Sequence, residues 1–162
     1  MNGSKGNAAF NASEMPEGRD IILNLNTANR MLPLVQRVVD DILISHRAID
    51  RLQPEQDRLD RHKRDLVWQE RQRRYQVHEE VATAERKLGE AIEELSGLGV
   101  TLLEAASGRI GFPTLVNDRR AFFSWQPGEE RLTSWLFADE TTARPIPPSW
   151  WKVSEASLSG KN

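Results

Sequence analysis

An apolar stripe stepping by three and four residues from Met31 to Leu98 constrains this chain more than any other feature. Met31, Val35, Val38, Ile42, Ser45, Ile49 and Leu52 occupy the a and d slots of a heptad. Gln56, Leu59, Lys63 and Leu66 keep the register, and Val77, Val81, Ala84, Leu88, Ala91, Leu95 and Leu98 resume it with Ile92 alongside. One helix over this span would be a rod of about 100 Å, at 1.5 Å per residue, unable to bury its own stripe. The chain must therefore double back. The spacing fits a reversal near Lys63–Glu70, with arms of similar length, or at Gln53-Pro54, with a second arm nearly twice the first. The former is preferred, because matched arms cover each other's seams and Pro54 keeps register on both sides, as a kink does. Leu32, Val39 and Leu66 form a second apolar row, wider than one neighbouring helix covers. That row predicts homo-oligomerisation through the hairpin.

Before the stripe, residues 1–19 offer little to bury and read as a disordered tail. Residues 20–25 read as a short β-prone strand, and Thr27 or Asn29 as the helix cap, with Pro33 near the first turn. The helical hairpin spans 28–97 and ends at Gly97 and Gly99. Past Val100 the period becomes two. Strands are predicted over Thr101–Ala105, Arg109–Val116, Arg120–Gln126 and Arg131–Phe137, a meander occupying 100–138. Ser107-Gly108, Asn117-Asp118 and Pro127–Glu130 supply the turns, and Pro113 marks an edge or a bulge in the second strand. Residues 144–151, with three prolines, should run extended across a surface, and 152–162 read as a tail. The fold class is α+β, one domain over 20–151: a long, coiled-coil-like antiparallel helical hairpin with an appended small antiparallel β-meander.

No cysteine is present, which removes disulfides, thiol catalysis and thiolate metal sites together. The net charge of −2 creates no global field toward nucleic acid or anionic lipid. The apolar runs are far shorter than the roughly 20 residues of a membrane helix, and no secretory signal opens the chain, so a cytoplasmic protein is expected. His46, His62 and His78 lack the paired Glu-x-x-His pattern of a dimetal bundle, and His78-Glu79-Glu80 reads as a solvated helix face. Phosphate loops, nucleophile elbows and zinc spacings are missing, and Ser124 and Ser134 read as ordinary strand residues. Neither catalytic residues nor a cofactor are expected.

Two surfaces invite binding. Arg58, Arg61, Lys63, Arg64, Arg71, Arg73 and Arg74, with Trp68 and Tyr75 interleaved, form a basic hairpin tip suited to phosphates and a stacked base. Asp57, Asp60, Asp65 and Glu70 dilute it, and i,i+4 pairs such as Asp57–Arg61 and Asp60–Arg64 favour a solvated tip. The sheet carries the second surface, at Phe112, Pro113, Glu129, Trp135, Arg144, Trp150 and Trp151. Its many rings are first of all a core, yet aromatics on both faces of a strand imply a second covered face. The preferred role is a non-enzymatic interaction or scaffolding module with an unknown protein partner. The alternative is an RNA- or ribosome-associated protein acting through the tip. An enzyme with a pocket at the Gly111–Pro113, Glu129 and Arg144 corner is the least favoured reading.

The ordered set Thr27–Pro33, Leu98-Gly99-Val100, Gly111-Phe112-Pro113, Phe123-Ser124-Trp125 with Pro127-Gly128-Glu129, Trp135-Leu136-Phe137 and Arg144-Pro145 resembles one family across about 20–151. It is the bacterial domain of unknown function 2203. The resemblance implies a helical hairpin with a β-meander and no established activity. It also implies a histidine directly after the last strand's Trp, where this chain has Leu136, and a recurrent arginine at Arg144.

Overall fold

The computed structural model describes residues 22–151. Residues 20–21 of the expected strand and the tails expected at 1–19 and 152–162 lie outside the described residues. Helix α1 runs Leu25–Arg61 and α2 Trp68–Gly97, packed antiparallel. The reversal falls in residues 62–67, as the matched-arm argument requires, and Pro33 and Pro54 both lie inside α1. Val35, Val38, Ile42, Ser45 and Leu52 of the stripe face inward, with Val77, Val81, Ala84, Ala91 and Leu95 of α2.

The start of α1 differs from expectation. No strand forms at residues 22–25, because the side chain of Asn24 accepts from Thr27 N at 2.8 Å and turns the chain into helix at Leu25. Asn24, not Thr27 or Asn29, is the cap, and Pro33 therefore sits more than two turns in. At the other end Gly99 adopts φ 81°, Gly99 N donates to Ser96 O and Val100 N to Leu95 O. This is a Schellman stop, closed by the buried pair Leu95 and Val100.

Five antiparallel strands follow in sequence order: β1 Thr101–Glu104, β2 Arg109–Val116, β3 Arg119–Trp125, β4 Ser134–Phe137 and β5 Arg144–Pro145. Asn117 and Asp118 both have positive φ, as a two-residue type I′ turn demands. Pro113 pairs regularly with Phe122, so no bulge lies there. The β1 pairing ends at Gly111, leaving Pro113 on a locally free edge where its carbonyl accepts from Leu23 N. The fourth strand is shorter than predicted, since the amide of Leu132 is taken by the Asn29 side chain rather than by a ladder. Residues 144–151 are not simply extended either. They add β5 and then turn into helix at 148–151, where Pro148 needs no amide partner.

The helix-facing side of the sheet and the base of the hairpin share one core. Leu32, Val35, Val39, Ile42, Ala91 and Leu95 meet Ile110, Phe112, Phe123, Trp125, Trp135 and Phe137. The second apolar row thus finds its cover within the chain: Leu32 and Val39 are buried in this core, and Leu66 packs on a separate tip cluster of Leu52, Leu59, Val77 and Val81. Leu32 and Val39 therefore leave no apolar surface for a second copy to cover. On the opposite face Phe122 and Leu136 are also buried, in one cross-strand row with Pro113. Leu136, at the histidine position of the resemblance, is thus an apolar back-face residue.

Candidate functional site

The tip is built around a polar seam joining the two helices above the Leu59 and Val77 cluster. Asp60 receives Arg74 Nε at 2.8 Å and His78 Nε2 at 2.8 Å. In the tautomer protonated at Nε2, His78 Nδ1 accepts from the Gln56 amide at 3.0 Å, and Gln56 in turn accepts from Gln53. Arg73 grips Glu55 through Nε and through Nη2 at 3.2 Å, and reaches Glu80 at 3.7 Å. The hydrogen bond from His78, then that from Arg74, holds the Asp60 carboxyl below its ordinary range. Arg73 does the same for Glu55, which raises the Arg73 guanidinium in return.

This seam separates the basic residues into two groups. Arg73 and Arg74 are internal struts. Arg61, Lys63, Arg64 and Arg71 form no salt bridge among the described residues, and Arg58 acts on Glu55 only through its field. The anticipated intrahelical pairs Asp57–Arg61 and Asp60–Arg64 are absent there, because Asp60 is drawn across to α2 and Asp57 accepts from Gln53. Around these cations Val67, Trp68 and Tyr75 stand 55%, 60% and 74% exposed. Three of the seven exposed large apolar side chains among the described residues therefore gather at one end of the hairpin. His78 was expected on a solvated face; its half-burial and its bonds follow from the antiparallel register, which periodicity within one helix does not carry.

The sheet surface does not assemble. Phe112 is fully buried and Trp135 is buried, both in the core, whereas Pro113 belongs to the opposite face. Glu129 is spent on the turn, its carbonyl accepting from Trp125 Nε1 and its carboxylate from Thr133. Arg144 pairs with Glu140 and lies over Trp135 and Phe137, while Trp150 and Trp151 pack half-buried against the core. The corner imagined for a pocket is closed at Gly111, where the Phe122 ring lies 2.8 Å from the position a Cβ would take.

On the hairpin flank, a groove of about 580 Å³ runs between Ile44, Ala48, Arg51 and Leu52 on α1 and Glu79, Glu80, Ala84 and Lys87 on α2. Among the described residues no group of three or more His, Asp or Glu is placed to hold a metal ion, and no helix is long and apolar enough to cross a membrane.

Residues 22–144 match a family model described as "Uncharacterized conserved protein (DUF2203)". No curated protein and no solved structure matches.

Proposed function

The chain belongs to the DUF2203 family, and from that premise we propose that it is a non-enzymatic interaction module that meets a protein partner at the hairpin tip. One observation carries the reading: exposed Trp68, Tyr75 and Val67 share the tip with Arg61, Lys63, Arg64 and Arg71, none of which is salt-bridged among the described residues. Trp, Tyr and Arg are the residues that dominate binding energy at protein interfaces. A partner surface with carboxylates around an apolar pocket would suit them. RNA is the less favoured partner. With Arg73 and Arg74 spent on Glu55 and Asp60, the remaining cations stand among Asp57, Asp65 and Glu70, and their small excess gives little counterion release.

Affinity capture with the intact protein, reading both co-eluting proteins and RNA, tests this against a Trp68→Ala, Tyr75→Ala, Arg71→Glu variant. These exposed changes should alter stability by no more than about 0.5 kcal/mol each. Proteins retained by the wild type should be lost with the variant while RNA shows no enrichment. Retention of the same proteins by the variant refutes the tip, and specific RNA enrichment refutes a protein partner.

Self-association through the hairpin is the second reading. It is favoured by the flank groove, where Ile44 is 64% exposed beside Ala48 and Leu52. Arg51 and Lys87 oppose Glu79 and Glu80 there, a mixed lining that a second, two-fold-related copy complements.

A further inference from the structure

At the opposite end from the tip, the first turn of α1 opens into a cleft of about 350 Å³. It is lined by Asn24 and Leu25, by Thr114 to Asn117 of the β2–β3 hairpin, and by Phe123 and Trp150. The volume lies within the range of small-molecule sites.

Three properties of the lining define what fits. First, Asn24 satisfies the amides of Thr27 and Ala28, but those of Leu25 and Asn26 have no acceptor among the described residues. No acidic residue lies in the first turn, so within the helix itself nothing offsets the positive end of its 37-residue dipole beside the cleft. Second, Thr114 is 8% exposed, lines the cleft, and its hydroxyl has no hydrogen-bond partner among the described residues. That hydroxyl is not sealed off: only Ser107 is both closed to solvent and without a partner there. Open to the cleft and bonded to nothing else described, that hydroxyl can exchange water for a ligand oxygen without giving up a bond within the chain. Third, Leu25, Leu115, Val116, Phe123 and Trp150 make most of the remaining lining apolar, with the neutral Asn117 the one other polar residue in it.

We infer that this cleft is a binding site for a small monocarboxylate with an apolar, ring-sized body. The carboxylate sits on the Leu25 and Asn26 amides of the α1 N-terminus and accepts from Thr114, and the body lies on Phe123 and Trp150. A second anionic group would find only the neutral Asn117 and apolar wall, with no cationic side chain, which disfavours dicarboxylates. A neutral apolar molecule would leave the amides and the hydroxyl unpaired.

Phenylacetate is the probe, titrated into the full-length chain by calorimetry and by tryptophan fluorescence. A ligand of this size is expected to bind at one site with a dissociation constant of about 1 mM. The neutral analogue phenylacetamide should bind the wild type about tenfold more weakly. Asn24→Asp keeps a preferred capping residue and sets a negative charge at the same helix end, so it should weaken phenylacetate by about tenfold or more. Thr114→Val preserves shape and strand preference and should cost about two- to tenfold. Absence of saturable phenylacetate binding up to about ten times that constant overturns the inference. Equal binding of phenylacetamide, or unchanged binding by a natively melting Asn24→Asp protein, overturns it as well.

Discussion

Replacing Trp125 by Ala probes the joint between the sheet and the helices. The indole is 3% exposed at the end of β3, with Ile110 opposite it on β2, and its Nε1 donates to Glu129 O at 2.8 Å. Removing roughly 200 Å² of buried apolar surface, at about 25 cal/mol per Å², gives an upper figure near 5 kcal/mol. Measured truncations of buried aromatics fall at about 3–5 kcal/mol. The Glu129 carbonyl lies in a half-exposed turn and regains water, so it adds little. Such a loss is a large share of the roughly 5–15 kcal/mol that holds a domain together.

Its form is as informative as its size. The heptad pattern alone suggests a hairpin with its own seam, able to survive loss of the sheet. In the structure Val35, Val39, Ile42 and Leu95 are buried in the same cluster as Trp125. Helix and sheet should therefore fail together. In urea, the near-ultraviolet aromatic signal and the far-ultraviolet helix signal of Trp125→Ala should disappear in one coincident transition, at a midpoint well below wild type. A midpoint equal to wild type, or helix signal that outlasts the aromatic signal, refutes the shared-core reasoning.

Acid should loosen the tip before the base. The folded-state pKa values of Asp60 and Glu55 lie below their ordinary 3.8 and 4.5, so their contribution is complete above those values and is lost as pH falls through the depressed ones. Hydrogen exchange below about pH 4.5 should lose protection around Leu59 and Val77 ahead of β2 and β3, and Asp60→Asn with Glu55→Gln should flatten that dependence; simultaneous loss at both ends refutes it. Light scattering at micromolar concentration should give a mass above the 18.5 kDa monomer, reduced to the monomer by Ile44→Glu; a wild type that stays at the monomer mass refutes association through the flank.

Much of the architecture is legible in the residues themselves because it is set locally. The three-and-four spacing from Met31 to Leu98 gives two helices, since each turn of helix buries the same side regardless of what it meets. Asn117-Asp118 and Gly99 announce a hairpin turn and a helix stop because their backbone angles are accessible to few residue types. The requirement that a 100 Å stripe, in the order-of-magnitude sense of 1.5 Å per residue, find a partner is enough to demand the reversal between α1 and α2.

What meets what is a different matter. Ile22-Leu23-Asn24-Leu25 has strand propensity, yet one Asn24 side chain closing on Thr27 N starts a helix there. Leu32 and Val39 have the look of an oligomer interface in sequence, and only the folding of the sheet onto α1 covers them. Arg73 and Arg74 are indistinguishable from Arg71 along the chain, and become struts because the antiparallel register brings Glu55 and Asp60 within reach across the hairpin. The base cleft joins Asn24, Thr114 and Trp150, residues separated by 90 and 36 positions along the chain. Periodicity reports which side of an element is apolar, whereas contacts between elements depend on register and crossing geometry, which no local pattern encodes.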